Sequence, residues 1–217
     1  MTTMKREHNI LVLISGNGTN LQALIDACAA GTIPHAKIVK VISNKKDAYG
    51  LTRAKDAGIE TTYHNLIAGG YTKKYPGDRE KAREGYDVDL AKLITTNEPK
   101  PDLVVCAGWM HILSPSFVDA LQAARLPIIN LHPALPGQFD GANAIQRAWT
   151  AYKDGQITKT GVMIHYVISE VDRGQPIVTE EISCEECADE DALEAKIHAV
   201  EWRIIVQGAV KALSSLP

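Results

Sequence analysis

Three polar side chains of complementary chemistry stand where a sheet could bring them together. Asn130 and His132 follow directly on a buried, strand-like run, and Asp172 lies in a turn between two later strand-like runs. Acyl transfer to an amine passes through a tetrahedral intermediate that needs fixed hydrogen-bond donors, and it requires a proton to move from the amine to the leaving nitrogen. This chemistry needs no nucleophilic Ser or Cys.

Each of the three residues has a predicted role in such a reaction. Asn130 would donate to the oxyanion, and His132 would act beside it as a protonated donor and proton carrier. The negative charge of Asp172 would favour the imidazolium form of His132. A histidine or a turn aspartate taken singly more often has a structural role, so the prediction depends on the fit of all three residues to one reaction.

A second candidate site is the glycine turn at 16–20, which follows the apolar run NILVLIS and precedes a helical pattern. Such a turn exposes backbone N–H groups and the positive end of a helix dipole, which favours an anion at Gly18, Thr19 and Asn20. The alternative is an ordinary turn in which Thr19 or Asn20 caps the helix. The turn lacks the third glycine of a dinucleotide fingerprint and the Gly-Lys-Ser/Thr of a P-loop.

Alternating strands and helices surround these residues. Strand-like runs lie at 9–15, 37–43 and 102–107, and helical patterns lie at about 47–57 and 79–97. The runs at 161–168 and 175–182 are separated by so few residues that they favour an antiparallel pair, and a long helical stretch covers 188–213. We therefore predict an α/β fold with a doubly wound, mainly parallel sheet and one domain over residues 1–217.

Composition limits the classes of function. The chain has 217 residues, 45% hydrophobic and 23% charged, with a net charge of -3 and no basic tract, so a nucleic-acid partner is not expected. The short polar start and the absence of a long apolar run predict no signal peptide, no membrane span and a cytoplasmic location. Cys184 and Cys187 form a lone C-x-x-C without a second ligand pair, so we expect no metal.

Four segments resemble the ordered motifs of the glycinamide ribonucleotide formyltransferases. They are SGNGTNLQALI, AGWMHILSP, INLHPALP and VDRGQPI, and the resemblance runs from about residue 9 to the final helix. It implies a mainly parallel seven-stranded sheet with an antiparallel contribution. It also implies transfer of a formyl group from 10-formyltetrahydrofolate to the amino group of 5-phosphoribosyl glycinamide in de novo purine biosynthesis, by a monomer or weak homodimer acting on small molecules.

The resemblance also assigns residues to the two substrates. Asn130, His132 and Asp172 take the catalytic positions. The ribonucleotide site comprises Gly18, Thr19 and Asn20 at the phosphate, with His198 and Glu201 on the last helix. The folate site comprises Arg83, Met110, His111, Ile112, Leu113, Asn130, Ile168, Ser169, Glu170, Val171 and Asp172.

Other roles are open for several of these residues. Met110, Ile112 and Leu113 would be ordinary core in any fold, Arg83 could be a surface charge, and His198 with Glu201 could form a solvated helix face.

The sequence also departs from the family pattern. His111 stands where many members have Arg, Leu135-Pro136-Gly137 replaces Leu-Leu-Pro, 71–78 has the character of an added loop, and 152–159 that of a surface extension.

Three other functions would use parts of the same sequence pattern. A methionyl-tRNA formyltransferase would carry a further basic domain after the final helix, which we do not expect here. A 10-formyltetrahydrofolate hydrolase would carry a regulatory domain before the first strand, but water and an amine could meet the same catalytic groups. A non-catalytic nucleotide-binding regulator would use only the glycine turn.

Overall fold

A seven-stranded sheet organises the computed structural model, which describes residues 6–216. Five strands run parallel, and the last two add an antiparallel contribution. The spatial order is β3-β2-β1-β4-β5-β6-β7. The strands are β1 (His8–Ile14), β2 (Ala36–Ser43), β3 (Glu60–Tyr63), β4 (Leu103–Cys106), β5 (Ile128–His132), β6 (Lys159–Tyr166) and β7 (Pro176–Ser183).

Over residues 6–216, seven helices connect or follow these strands. They are α1 (Thr19–Ala29), α2 (Tyr49–Asp56), α3 (Tyr71–Lys74), α4 (Arg79–Thr95), α5 (Pro115–Ala123), α6 (Ala144–Lys153) and α7 (Glu190–Ser214). Within the described chain, none of these helices is long and apolar enough to span a bilayer.

Alternation along β1 shows how the sheet is covered on both faces. Ile10, Val12 and Ile14 belong to a core cluster that includes residues of α1, α2 and α7. Leu11 and Leu13 belong to a second cluster with residues of α3, α4 and α5. Because successive strand side chains point to opposite faces, a run of five buried residues at the end of β1 requires helices on both sides. The predicted doubly wound fold is confirmed.

The ligand edge of the sheet lies at the carboxyl ends of the parallel strands. The chain order reverses between β1 and β4, so the turns after these two strands flank a topological switch point. They are bonded together, since the Ser15 N–H donates to the Gly108 carbonyl at 3.0 Å and the Met110 N–H to the Ser15 hydroxyl at 2.8 Å. This places the glycine turn beside the 107–114 segment.

Some elements differ from the sequence prediction. The pattern at 71–78 contains the one-turn helix α3, whose Tyr71 is buried against α4 through a hydrogen bond to Asp89. The segment is therefore part of the packed structure. The connection between α6 and β6 is mostly exposed, as predicted for a surface extension.

Candidate active site

The structure brings Asn130, His132 and Asp172 together at the ligand edge of the sheet. Asn130 and His132 lie on β5, two residues apart, and therefore point to the same face of the sheet. The Nδ2 of Asn130 donates to Oδ1 of Asp172 at 3.3 Å, and Nδ1 of His132 lies 3.3 Å from Oδ2 of the same carboxylate. Asp172 thus connects the amide and the imidazole.

The turn before β7 holds Asp172 in a special backbone conformation. Its φ is 56°, in the left-handed region that Asp and Asn tolerate better than most residues. The Gly141 N–H donates to Oδ2 of Asp172 at 2.8 Å, which fastens the carboxylate to the loop between β5 and α6. Neither Gly141 nor this contact was foreseen from the sequence.

A second histidine, His165 on β6, completes the cluster. It is 2% exposed, and its Nε2 lies 3.2 Å from Nδ2 of Asn130 and 3.4 Å from Oδ1 of Asp172. The antiparallel register places His165 directly opposite Asn130. The sequence carried one signal for this residue, namely a histidine within the strand-like run at 161–168, but the pairing of that run with β5 and its register could not be read from one chain.

Burial and charge act in opposite directions on the ionisable groups. Burial alone would raise the pKa of Asp172, but the neighbouring His165 and His132 rings and the hydrogen bond from Gly141 outweigh it and hold that pKa below its usual value. Burial lowers the pKa of His132, while Asp172 and the Phe139 carbonyl act to raise it. The carboxylate is therefore ionised at neutral pH.

The charge of the free His132 depends on the balance between burial and the carboxylate of Asp172. Asp172 does favour the imidazolium, as predicted, but the loss of hydration on burial is the larger effect and lowers the pKa of His132 overall. The second ring nitrogen, Nε2, lies 3.2 Å from the carbonyl oxygen of Phe139. Proton uptake by His132 must therefore accompany a new negative charge in the site.

An apolar cavity of about 320 Å³ opens beside the cluster. Its lining includes the catalytic candidates Asn130, His132 and Asp172, and it also includes all the residues assigned to folate except Arg83: Met110, His111, Ile112, Leu113 and 168–171. Met110 is 80% exposed and Ile112 55%, so they are not the ordinary core residues of the alternative interpretation. They form an exposed apolar rim.

Helix α4 fixes the 110–114 wall of this cavity. The guanidinium of Arg83 donates to the carbonyl of Ile112 at 3.0 Å. Asp87, which is buried, accepts from the Ser114 N–H at 2.9 Å and lies 2.7 Å from Nε2 of His111. His111 is thus an internal partner of Asp87, and Arg83 reaches the rim of the cavity without lining it.

The glycine turn leaves the start of α1 without a side-chain cap. Gly18 occupies the N-cap position with φ 78°, and neither Thr19 nor Asn20 caps the helix, so the capping alternative is wrong. A Cβ on Gly18 would lie 2.6 Å from Cα of Gly50, so both the backbone conformation and the close approach require glycine. The uncapped N–H groups can bind an anion.

Glu201 of α7 lies against the same turn. It is 5% exposed, accepts a hydrogen bond from Nδ2 of Asn20 at 3.0 Å, and has a raised pKa because burial outweighs that bond. A solvated helix face is therefore wrong for Glu201. His198 is half exposed, with Nε2 3.8 Å from Glu194, and lies on the solvent side of the helix.

Comparison with known proteins agrees with this geometry. The formyl transferase family model matches residues 8–209. A phosphoribosylglycinamide formyltransferase of Schizosaccharomyces pombe is 50% identical over 92% of this chain and 94% of its own length, and that of Saccharomyces cerevisiae is 46% identical over 95% and 98%. The solved glycinamide ribonucleotide transformylase 1 of Symbiobacterium toebii superposes with a TM-score of 0.81 at 32% identity, covering 100% of this chain and 93% of that one.

The family match spans the glycine turn, the cavity wall, the polar cluster and most of α7. The relatives are aligned over nearly their whole lengths, and the structural likeness extends over the complete sheet. The chain belongs to the formyl transferase family, among its phosphoribosylglycinamide formyltransferases.

Proposed function

We propose that this chain transfers the formyl group of 10-formyltetrahydrofolate to the amino group of 5-phosphoribosyl glycinamide. The observation that carries the proposal is the position of the Asn130, His132 and Asp172 cluster, which opens on an apolar cavity at the same sheet edge as an uncapped glycine turn. A flat ring system suits the cavity, and a phosphate suits the turn. The reacting groups of the two substrates would meet at the cluster.

The reaction proceeds by direct attack of the amine on the formyl carbon. The carbonyl oxygen becomes an oxyanion, and an N–H of Asn130 donates to it. The new negative charge raises the proton affinity of the buried His132, which takes up the proton that leaves the attacking nitrogen and then acts as a charged donor beside the oxyanion. This order of steps accounts for an imidazole that is neutral before substrate binds and protonated as the intermediate forms.

Asp172 assists the movement of the proton. The attacking nitrogen must lose a proton, and the folate nitrogen must gain one as the carbon–nitrogen bond breaks. Asp172 is ionised and therefore able to accept this proton, directly or through an ordered water, and to pass it to His132, which returns it to the folate nitrogen as the intermediate collapses. Collapse of the intermediate then yields the formylated amine and tetrahydrofolate, with no change in the total number of protons.

The remaining assignments follow from the same arrangement. Gly18, Thr19 and Asn20 would hold the phosphate, and Glu201 would accept hydrogen bonds from the ribose side, with His198 at the edge. Residues 168–171 would cover the pterin ring, and Arg83 with the 110–113 wall would meet the rest of the folate. The whole of 1–217 would act as one cytoplasmic domain on small molecules, as a monomer or weak homodimer.

The direct test is a formyl-transfer assay with purified protein, the ribonucleotide and the formyl donor. We expect a formylated ribonucleotide and tetrahydrofolate in equal amounts, and no consumption of donor when the ribonucleotide is omitted. Donor consumption alone would indicate a hydrolase. Binding of the ribonucleotide without consumption of donor would indicate a non-catalytic regulator.

Removal of divalent ions should leave the rate unchanged, because the proposed roles are those of hydrogen-bond donors and proton carriers. Among the described residues, no group of three or more His, Cys, Asp or Glu side chains is arranged to hold a metal ion. The measurement compares turnover before and after exhaustive dialysis against a chelator. Loss of turnover that zinc or magnesium restored would show that the mechanism is wrong.

Replacing Gly18 with Ala should weaken binding of the ribonucleotide. The added Cβ would meet Gly50, so the turn must shift and lose its approach to the phosphate. Loss of one charge-assisted hydrogen bond, about 1.5–3 kcal/mol, corresponds to a rise in the Michaelis constant of roughly tenfold to a hundredfold. The constant for the folate should change little.

Gly31→Ala is the matched control, since Gly31 has a similar φ of 72° but open space around the added Cβ. It imposes the same backbone strain away from the site. If the folded Gly18→Ala protein had an unchanged Michaelis constant for the ribonucleotide, the glycine turn would not be part of the phosphate site. An equal rise of the Michaelis constant in the Gly31→Ala protein would lead to the same conclusion, because backbone strain alone would then account for the effect.

A further inference from the structure

Cys184 and Cys187 lie on a turn that the proposed reaction does not use. β7 ends at Ser183, and the Cys187 N–H then donates to the Cys184 carbonyl at 3.1 Å, which closes a four-residue turn. Both thiols are free, and neither residue lines the cavity beside Asp172. The C-x-x-C pair is therefore a feature separate from the catalytic cluster.

The turn holds the two cysteines close enough for a covalent bond. The first and last Cα atoms of a β-turn lie less than about 7 Å apart, and a disulfide joins Cα atoms about 4.4–6.8 Å apart. Cys184 is fully buried and Cys187 is 8% exposed, and both pack in the same apolar cluster as Leu193 and Ile197 of α7. The two cysteines thus share one apolar environment.

We propose that Cys184 and Cys187 form a reversible intramolecular disulfide and that low-molecular-weight disulfides such as oxidised glutathione are the oxidant. This modification site does not depend on the proposed formyl transfer. It would convert a buried dithiol into a covalent link between the end of β7 and the segment leading into α7.

The structure also indicates the order of the two steps. Cys187 is the more accessible thiol, and its Sγ donates to the Ser183 carbonyl at 3.8 Å. Cys187 should therefore attack the oxidant first.

In the first step Cys187 Sγ loses its proton and attacks one sulfur of oxidised glutathione, whose S–S bond breaks and whose other half leaves as a thiol. In the second step Cys184 Sγ attacks Cys187 Sγ, the mixed disulfide breaks, and a second glutathione thiol leaves. Two protein thiols are oxidised and one low-molecular-weight disulfide is reduced. Burial raises the pKa of the Cys184 thiol and makes its thiolate scarce, so the second step depends on the short separation that the turn imposes on the two cysteines.

The other two cysteines provide internal controls. Burial raises the pKa of Cys28 to about 11 and that of Cys106 to about 12. Cys106 belongs to the cluster on the α4 and α5 face of the sheet, while Cys28 packs on the opposite face. The sheet therefore separates them, and neither has a cysteine partner within a turn.

The test is incubation of the full chain with oxidised glutathione, followed by intact-mass measurement and thiol counting. Wild type and Cys28→Ser should each lose two thiols and about 2 Da without retaining glutathione. Cys184→Ala should accumulate one glutathione adduct on Cys187, since the resolving thiol is gone. Cys187→Ser should react at least roughly tenfold more slowly than wild type, because the accessible thiol is gone.

Three results would overturn the proposal. One is wild-type protein that keeps all four thiols, and another is a stable glutathione adduct on wild type of the kind expected for Cys184→Ala. The third is a disulfide that peptide mapping places on Cys28 or Cys106. Thermal unfolding of each variant confirms that the protein under test is folded, and Cys187→Ser, at the more exposed position, keeps the test informative if Cys184→Ala unfolds.

Discussion

Replacing Asp172 with Asn is expected to lower turnover by about 10² to 10⁴, the range of a lost general acid–base contribution. The carboxylate accepts hydrogen bonds from Asn130 and Gly141 and lies beside both His132 and His165. An amide in its place cannot accept a proton at neutral pH. The loss should appear mainly in kcat, with smaller changes in the two Michaelis constants.

The substitution is conservative for the backbone, because Asn tolerates the left-handed conformation that Asp172 adopts at φ 56°. It should therefore remove the charge of Asp172 without disturbing the fold. Removing the charge also removes the main influence that raises the pKa of His132, so that pKa should fall further below its ordinary value. NMR titration of the histidine ring gives this quantity independently of turnover.

Glu181→Gln is the matched control, since Glu181 is a carboxylate of β7 that pairs with Lys159 outside the site. We expect it to retain wild-type turnover. If the folded Asp172→Asn protein kept most of its turnover, and His132 titrated as in wild type, Asp172 would have only a structural role in the turn. If most of the turnover remained but the pKa of His132 had fallen, the charge of Asp172 would influence His132 without contributing to the reaction.

Local patterns were sufficient to predict the sheet and the ends of its buried strands. β1 and β4 are short apolar runs that stop at glycine-containing turns, and buried parallel strands have this pattern. Chain order then placed the glycine turn and the Asn130 segment at one edge, which the structure confirms. β3 was missed because Glu60–Tyr63 is short, polar and at the edge of the sheet.

The site was harder to predict wherever it depends on register or on a balance of forces. His165 enters it because the β5 and β6 pairing sets this residue opposite Asn130, and a shift of one residue would turn His165 to the other face. The protonation of His132 depends on how burial compares with the charge of Asp172. No spacing in the sequence measures burial, so the net direction in which the pKa of His132 is shifted could not be predicted from the sequence.

Asn130→Ala should lower turnover by about 10² to 10³, the usual cost of removing one oxyanion donor. Both N–H bonds of this amide are already used, one toward Nε2 of His165 at 3.2 Å and one toward Asp172 at 3.3 Å. One of them must turn to the oxyanion as it forms. Nδ1 of His165 faces the Tyr166 carbonyl at 2.9 Å, so a neutral ring donates there and accepts from Asn130 through Nε2.

A second proton on His165 would reverse the bond at Nε2, because the ring would then donate to Asp172 and one N–H of Asn130 would be released for the oxyanion. The alanine variant removes this donor whichever proton arrangement holds, so kcat should fall at every pH tested while substrate binding persists. Asn9→Ala is the control, since Asn9 donates to the Lys100 carbonyl at the opposite end of the sheet. If folded Asn130→Ala kept the turnover of Asn9→Ala, the oxyanion donor would have to be sought among the backbone N–H groups near Gly141.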